Sequence, residues 1–212
     1  MIGDLYAASL DGAPIEVEYV DGRVEPLRAA RWREPIDGDH AMLARCSGPT
    51  LDVGSGPGRL TVALTRRGVP ALGIDVTPHA VRLTRESGGA ALCRDVFAPV
   101  PGTGRWATLL LADGNIGIGA DPVALLRRAR RLLRPGGEVV AELEPPGVPS
   151  RVDRVRLRVD PGRPDGGNRP DVGCWFGWAR VSVTDIARLA HAGGFPMVHH
   201  WQEAGRWFAS LR

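Results

Sequence analysis

Through the middle of the chain, short apolar runs alternate with longer stretches in which apolar positions recur every three or four residues. The short runs read as buried strands and the longer stretches as amphipathic helices. The runs are Thr50–Val53, Ala71–Asp75, Ala91–Asp95, Trp106–Ala112 and Glu138–Leu143, with helical stretches at Arg59–Arg67, Pro78–Ser87 and Pro122–Leu133. Gly68, Gly88-Gly89 and Arg134-Pro135-Gly136-Gly137 stop the three helices. Strand, helix and strand at this spacing require parallel crossovers, with helices on both faces of one sheet.

The pattern changes on either side. Ile15–Val24 alternates around Asp21-Gly22 and predicts a small hairpin in an otherwise polar lead-in, with Asp39 capping a short helix to Cys46. Beyond Pro145-Pro146-Gly147, Arg151–Val159 alternates strictly and predicts a half-exposed strand. A Gly-, Pro- and Asp-rich loop from Asp160 to Gly173 leads to Cys174–Ser182, its expected antiparallel partner. Thr184 is expected to cap a helix to Ala192, and Met197–Trp201 and Arg206–Leu211 to form a hairpin across Ala204-Gly205. The expected fold class is therefore α/β. It is a doubly wound, seven-stranded, mostly parallel sheet with a C-terminal antiparallel hairpin and a β-rich insertion after strand five. One domain is expected: lead-in 1–48, cofactor-binding core 49–147, insertion 148–182 as a candidate acceptor lid, last helix and hairpin 183–212.

Composition adds exclusions. No apolar run among the 212 residues approaches the roughly 20 of a membrane span, and the first residues lack the pattern of a secretory leader. Cys46, Cys93 and Cys174 are odd in number and widely spaced. That argues against a disulfide framework or a zinc site and points to a reducing, cytoplasmic setting. The net charge is +3 and the pI about 9.1, and all 27 basic residues are arginines. They are spread along the chain and read as solvated faces, so no nucleic-acid partner is expected. The lack of Lys beside abundant Ala, Gly and Pro suits a GC-rich genome.

The chemistry gathers at Leu51-Asp52-Val53-Gly54-Ser55-Gly56-Pro57-Gly58, which joins the first core strand to the first core helix. Glycines let a backbone turn sharply and approach a ligand, and the helix that follows offers free N–H groups. The spacing is Gly-x-Gly-x-Gly, whereas a dinucleotide fingerprint needs Gly-x-Gly-x-x-Gly. Asp52 repels phosphate but can order the turn and accept from an ammonium group. Asp75 ends the second core strand, where an acid accepts two ribose hydroxyls in either kind of site. Asp95 and Asp113-Gly114-Asn115 also read as turns, the latter at a strand's carboxyl end, where ligands bind in open α/β sheets.

Taken together, these segments resemble the class I S-adenosylmethionine-dependent methyltransferases of the small-molecule type, from about Leu51 to Gly147. The resemblance implies that Asp52, Gly54, Gly56 and Gly58 wrap the methionine part of S-adenosyl-L-methionine. It implies that Asp75 holds the ribose with Val76 beside the adenine, and that Asp95 and Val96 bond the adenine edge. It puts methyl transfer at Asp113-Gly114-Asn115-Ile116, so that Asn115 is a candidate for both cofactor and acceptor. The Asn/Asp-Pro-Pro-Tyr signature of many amino-group methylating enzymes is absent, which disfavours DNA bases.

A small-molecule acceptor, apolar or aromatic, is the expected partner, and biosynthesis of a specialised metabolite the expected setting. Trp175, Phe176, Trp178 and Arg180 are the candidate acceptor wall, with Arg180 fixing an anionic group; the alternative is a hydrophobic flap on the core. His199 and His200 on a strand, and Asp113, are candidate bases, although a structural or surface histidine is the commoner case. Tyr6, Arg31 and Trp32 precede the core with no role fixed by sequence. Two other functions stay open: a nicotinamide-dependent oxidoreductase, disfavoured by the glycine spacing, and a non-catalytic cofactor-binding module. The acceptor, its reacting atom and the oligomeric state are not legible.

Overall fold

Helix α1 (Gly3–Leu10) lies where the sequence gives only a polar lead-in. The structure, a computed structural model, describes residues 3–163 and 171–212, so part of the loop expected over 160–173 lies outside the described residues. Strands β1 (Ile15–Tyr19) and β2 (Val24–Pro26) form the expected hairpin. A 3-10 turn (Ala29–Arg33) and α2 (Asp39–Leu43) lead to the core: β3 (Thr50–Val53), α3 (Arg59–Arg66), β4 (Ala71–Asp75), α4 (Pro78–Glu86), β5 (Ala91–Cys93) and β6 (Trp106–Leu111). A second 3-10 turn (Asn115–Ala120), α5 (Pro122–Leu132) and β7 (Leu133–Leu143) complete it. Then come β8 (Arg151–Val159), β9 (Phe176–Arg180), α6 (Ile186–Gly193), β10 (Val198–Glu203) and β11 (Arg206–Leu211).

The main sheet has seven strands in the order β10-β11-β7-β6-β3-β4-β5; β3 to β7 run parallel, and β11 and β10 close it antiparallel. Alternation along the central strands divides its two faces. Leu109, Leu111, Val139 and Ala141 face α5 and α6, where Leu125, Leu126, Leu132 and Ile186 are buried. Leu110, Val140 and Phe208 face α2 and α3, against Met42, Leu43, Leu60 and Leu64. Each fully buried side chain of this size stabilises the fold by about 1.5–3 kcal/mol. Helices α5 and α6 cross closely at Gly193, where a Cβ would stand 2.5 Å from that of Leu126.

Some local expectations shift. Strand β7 begins at Leu133 and runs through the residues expected to be a turn, pairing Trp106 with Leu133 across an irregular register. Asp185, not Thr184, precedes α6, and the Thr184 hydroxyl pairs with that of Ser182. Asp39 is not the cap of α2; Gly38 is, and the Asp39 carboxylate is held instead by Arg59 and Arg206. The Ala204-Gly205 loop has positive φ at both residues (49° and 77°), as a two-residue hairpin turn requires.

The hairpin and the insertion are not separate. They join in a second sheet, ordered β2-β1-β8-β9, in which β1 pairs antiparallel with β8. Glu16 and Glu18 on its outer face pair with Arg158 and Arg156, each at 2.9 Å. Val17, Tyr19, Val155 and Leu157 line its inner face, over the ends of the core strands. Among the described residues, no helix is long and apolar enough to cross a membrane.

Candidate active site

In the main sheet the strand order reverses between β3 and β6, which opens a crevice at their carboxyl ends. A cavity of about 770 Å³ fills it, roofed by the second sheet. That is in the upper part of the usual range for ligand sites, roughly 300–1,000 Å³.

The Gly-rich turn after β3 forms one wall. Gly54 (φ 69°) and Gly56 (φ 54°) have left-handed backbones, and each has a close neighbour where a Cβ would sit. At Gly54 that Cβ would stand 2.7 Å from Asn115 Nδ2, and at Gly56 3.1 Å from the Tyr6 hydroxyl. Gly58 does not line the cavity. Its φ of 90° caps α3, and a Cβ there would collide with Thr84, so its role is packing.

Beneath the turn, Asp52 is fully buried and accepts from Thr61 Oγ1 at 2.7 Å. Burial pushes its pKa up to about 6, against the Thr61 hydrogen bond and the Arg59 charge. Asp75 accepts from the Gly56 N–H at 3.0 Å and the Thr77 N–H at 2.8 Å. Burial raises its pKa, and these N–H groups oppose the shift. The Thr77 hydroxyl and the Val76 N–H also stabilise the carboxylate, which lines the cavity. Val76, Asp95 and Val96 also line it. Asp95 accepts from the Phe97 N–H at 2.9 Å just beyond β5, which ends at Cys93 rather than at Asp95.

The turn after β6 supplies Asp113 and Asn115. Asp113 has φ 52° and is held by Arg59, which also grips Asp39 at 2.5 Å. Burial raises the Asp113 pKa, and the neighbouring Glu142 pushes the same way while Arg59 opposes. Asn115 Nδ2 donates to the carbonyls of Val53 and Gly54, each at 2.9 Å.

The roof departs from expectation at Trp175 and Arg180, and the β10 histidines lie away from it. Phe176 and Trp178 line the cavity and meet edge to face, 6.5 Å apart. Trp175 does not line it; the Arg156 guanidinium lies 4.6 Å from its ring centre on the outer face. Arg180 lines the cavity but is already compensated. It contacts Glu144 at 3.2 Å, Asp153 at 3.4 Å and Glu25 at 3.5 Å, and it donates to the Tyr19 hydroxyl. It is therefore no free reader of anions. His199 and His200 are exposed on the edge strand β10, stacked near Trp201 and Trp207 and outside the cavity. Of the three candidate bases, Asp113 alone lines the cavity.

The sequence reading missed Tyr19, Glu25 and Asp153 and gave no role to Tyr6, Arg31 and Trp32, all of which line the cavity. The available signal was the match of Glu16 and Glu18 in one alternating segment to Arg156 and Arg158 in the other. Trp32 Nε1 is buried without a hydrogen-bond partner, a donor left for a ligand. With the two left-handed glycines and the Asp75 carboxylate in its lining, the cavity fits an adenosine ligand with an amino-acid end.

A family model described as "Methyltransferase domain" matches residues 51–141. The core of the chain, residues 51–141, is thus similar to that family. It is 30% identical over 135 residues to the ubiquinone biosynthesis O-methyltransferase of Xanthomonas euvesicatoria pv. vesicatoria, across 59% of this chain and 47% of that protein. The chain thus spans about half the length of the curated relatives it matches. A S-adenosylmethionine-dependent methyltransferase from Bacteroides fragilis, solved with S-adenosyl-L-homocysteine, shares the fold at TM-score 0.79. That match has 20% identity and covers 99% of this chain and 94% of that one. The Burkholderia thailandensis 1,6-didemethyltoxoflavin-N1-methyltransferase, solved with its acceptor and S-adenosylhomocysteine, matches at TM-score 0.54. It has 19% identity and covers 82% of this chain and 73% of that one. The roof sheet lies outside the residues that the family model matches.

Proposed function

We propose that this protein transfers a methyl group from S-adenosyl-L-methionine to a small acceptor with an apolar or aromatic part. The observation that carries this reading is one continuous cavity joining the Gly-rich turn, Asp75 and Val96 to the aromatic inner face of the roof sheet. The cofactor supplies a methyl on a positively charged sulfur, open to in-line attack. The protein's part is then mainly positioning and the exclusion of water. Gly54 and Gly56 bring main chain against the amino-acid end, Asp75 accepts the ribose hydroxyls, and Asp95 and Val96 flank the base. Asn115 holds the two turns at a fixed separation. Phe176 and Trp178 form the wall against which the acceptor lies, and Asp113 stands at the reacting end. Because Arg59 holds Asp113, we assign it an electrostatic role, not proton removal.

The acceptor atom is oxygen in the named activity of the Xanthomonas relative and nitrogen in that of the Burkholderia structure. The latter acts on a small heterocycle, which supports a planar acceptor and a setting in specialised metabolism. Titration calorimetry with S-adenosylhomocysteine and with NAD tests the cofactor. Binding of the first is the expected result, and binding of NAD alone overturns the reading. Mass spectrometry of candidate phenols and heterocycles incubated with the protein and S-adenosylmethionine tests for a 14-dalton gain, about the mass of one added CH₂ unit.

A further inference from the structure

Asp113 is held at two points. Its side chain goes to Arg59, and its backbone N–H donates to Glu142 Oε2 at 2.7 Å. Glu142 is gripped in turn by the Arg206 fork, 2.9 Å from Nε and 2.8 Å from Nη2. Arg206 reaches on to Asp39 at 2.8 Å, and Asp39 returns to Arg59 at 2.5 Å, so the contacts close a ring. Its five members come from the turn after β6 and from β7, β11, α2 and α3, and no side chain among them is more than 17% exposed. Asp113 and Arg59 line the main cavity. Glu142 lines only a smaller one of about 270 Å³ beside it, and Arg206 and Asp39 line neither. Two guanidiniums against three carboxylates leave the ring one negative charge in excess, in a place that salt screens little. The other cations at this end do not cancel it: Arg180 is matched by Glu144, and Arg31 is exposed to solvent. The backbone of Asp113 has φ 52°, a conformation that a residue with a side chain keeps only where its surroundings hold it.

We propose that Glu142 is a positioning residue for methyl transfer: locked by Arg206, it fixes the Asp113 backbone so that the ring's excess negative charge faces the cofactor's positively charged sulfur. This rests on the methyl-transfer reading and on the electrostatic role of Asp113. Glu142 acts through Asp113, which alone of the ring's carboxylates lines the main cavity. When a lone pair of the acceptor takes the methyl, the electron pair of the broken bond stays on sulfur, which becomes neutral. A site built this way holds the cationic cofactor more tightly than its neutral product, and so favours release of the product.

Calorimetry with two cofactor analogues tests this. S-adenosylhomocysteine is neutral at sulfur, and sinefungin carries an ammonium group where the sulfonium methyl stands. Wild type is expected to bind sinefungin about tenfold more tightly, and Asp113→Asn to lose most of that preference. Glu142→Asp keeps the ring's charge but withdraws the carboxylate from the Asp113 N–H, and Arg206→Lys keeps the charge but not the fork. Each should cut the preference about threefold or more. Thermal melts establish that each variant is folded, and either one alone suffices for the comparison. A preference equal to that of wild type in a folded variant overturns the proposal, as does equal loss of both ligands, the mark of a merely structural role. No preference in wild type, or one that survives Asp113→Asn, overturns it too. Should neither analogue bind wild type, the methyl-transfer reading itself falls.

Discussion

The side-chain nitrogen of Asn115 stands 2.9 Å from the carbonyl oxygen of Gly54, and so ties the turn after β6 to the turn after β3. Its second N–H goes to Val53 at the same distance. The amide is a spacer whose donors are both used. Asn115→Ala should weaken S-adenosylhomocysteine binding about tenfold, the loss of two hydrogen bonds of roughly 0.5–1.5 kcal/mol each. Asn115→Asp, which sets carboxylate oxygens against two carbonyls, should weaken it further. Calorimetry on the three proteins gives the order, and an aspartate variant that binds as wild type would rule out the spacer role.

The buried Asp52 makes stability depend on pH with a definite sign. Its folded-state pKa of about 6 lies above the ordinary value of an Asp in an unfolded chain, about 3.9, so its protonated form favours the fold. That stability is fully present below the unfolded value and is lost as pH rises through about 6. Asp52→Asn keeps an acceptor for Thr61 but cannot ionise. Relative to it, wild type should lose up to about 3 kcal/mol between pH 3.5 and pH 7.5. Urea unfolding of both proteins across this range checks it, and a difference that does not vary with pH would remove Asp52 as the cause.

Arg59 joins Asp39 and Asp113, and its side chain is buried. Truncation leaves Asp39 and Asp113 with Arg206 alone, at 2.8 and 3.8 Å, so Arg59→Ala should cost about 3 kcal/mol, the low end for a broken buried pair. The melting temperature should fall accordingly. A loss no larger than that of an exposed arginine such as Arg82, which pairs with Glu86 at 3.4 Å, would mean that water screens the cluster.

Trp178 is half-buried and packs its ring against Phe176 over the cavity. Trp178→Ala should leave S-adenosylhomocysteine affinity unchanged and lower methyl transfer to any acceptor that wild type accepts. Its stability loss should fall short of the roughly 3–5 kcal/mol of a fully buried aromatic. Melts and cofactor titrations on one preparation decide the matter, and a full core-sized loss would make the ring part of the packing alone.

The main sheet was readable because each core strand carries its own signal. Thr50–Val53 is buried throughout, with Leu51 and Val53 in the core, and helices such as Pro122–Leu132 bury one clear stripe. Asp75, Asp95 and Gly54 could be placed beside the cavity from sequence because turns after strands declare themselves locally. The roof was not readable as a unit. The pairing of β1 with β8 depends on residues far apart in the chain, and alternation shows a strand's two faces without naming its neighbour. For the same reason Arg180 was assigned an anion, although three carboxylates from three other segments already surround it. Helix α1 escaped notice because its short sequence, GDLYAASL, buries only Leu5, Ser9 and Leu10.

The union of β1 with β8 also sets an order in time. Glu18 and Arg156 are 138 residues apart, whereas in the parallel core β4 follows β3, and β5 follows β4, after one helix each. Closing a long loop costs more chain entropy than closing a short one, and contacts between distant residues slow folding. The core strands and their helices can therefore assemble while the hairpin still waits for its partner. On a ribosome, the hairpin emerges early and stays an unpaired edge until residues 151–159 have left the exit tunnel. The cavity beneath the roof sheet then closes only after the strands that floor it have formed, and a slow phase in refolding, seen by Trp178 fluorescence after the core has formed, would be its kinetic trace.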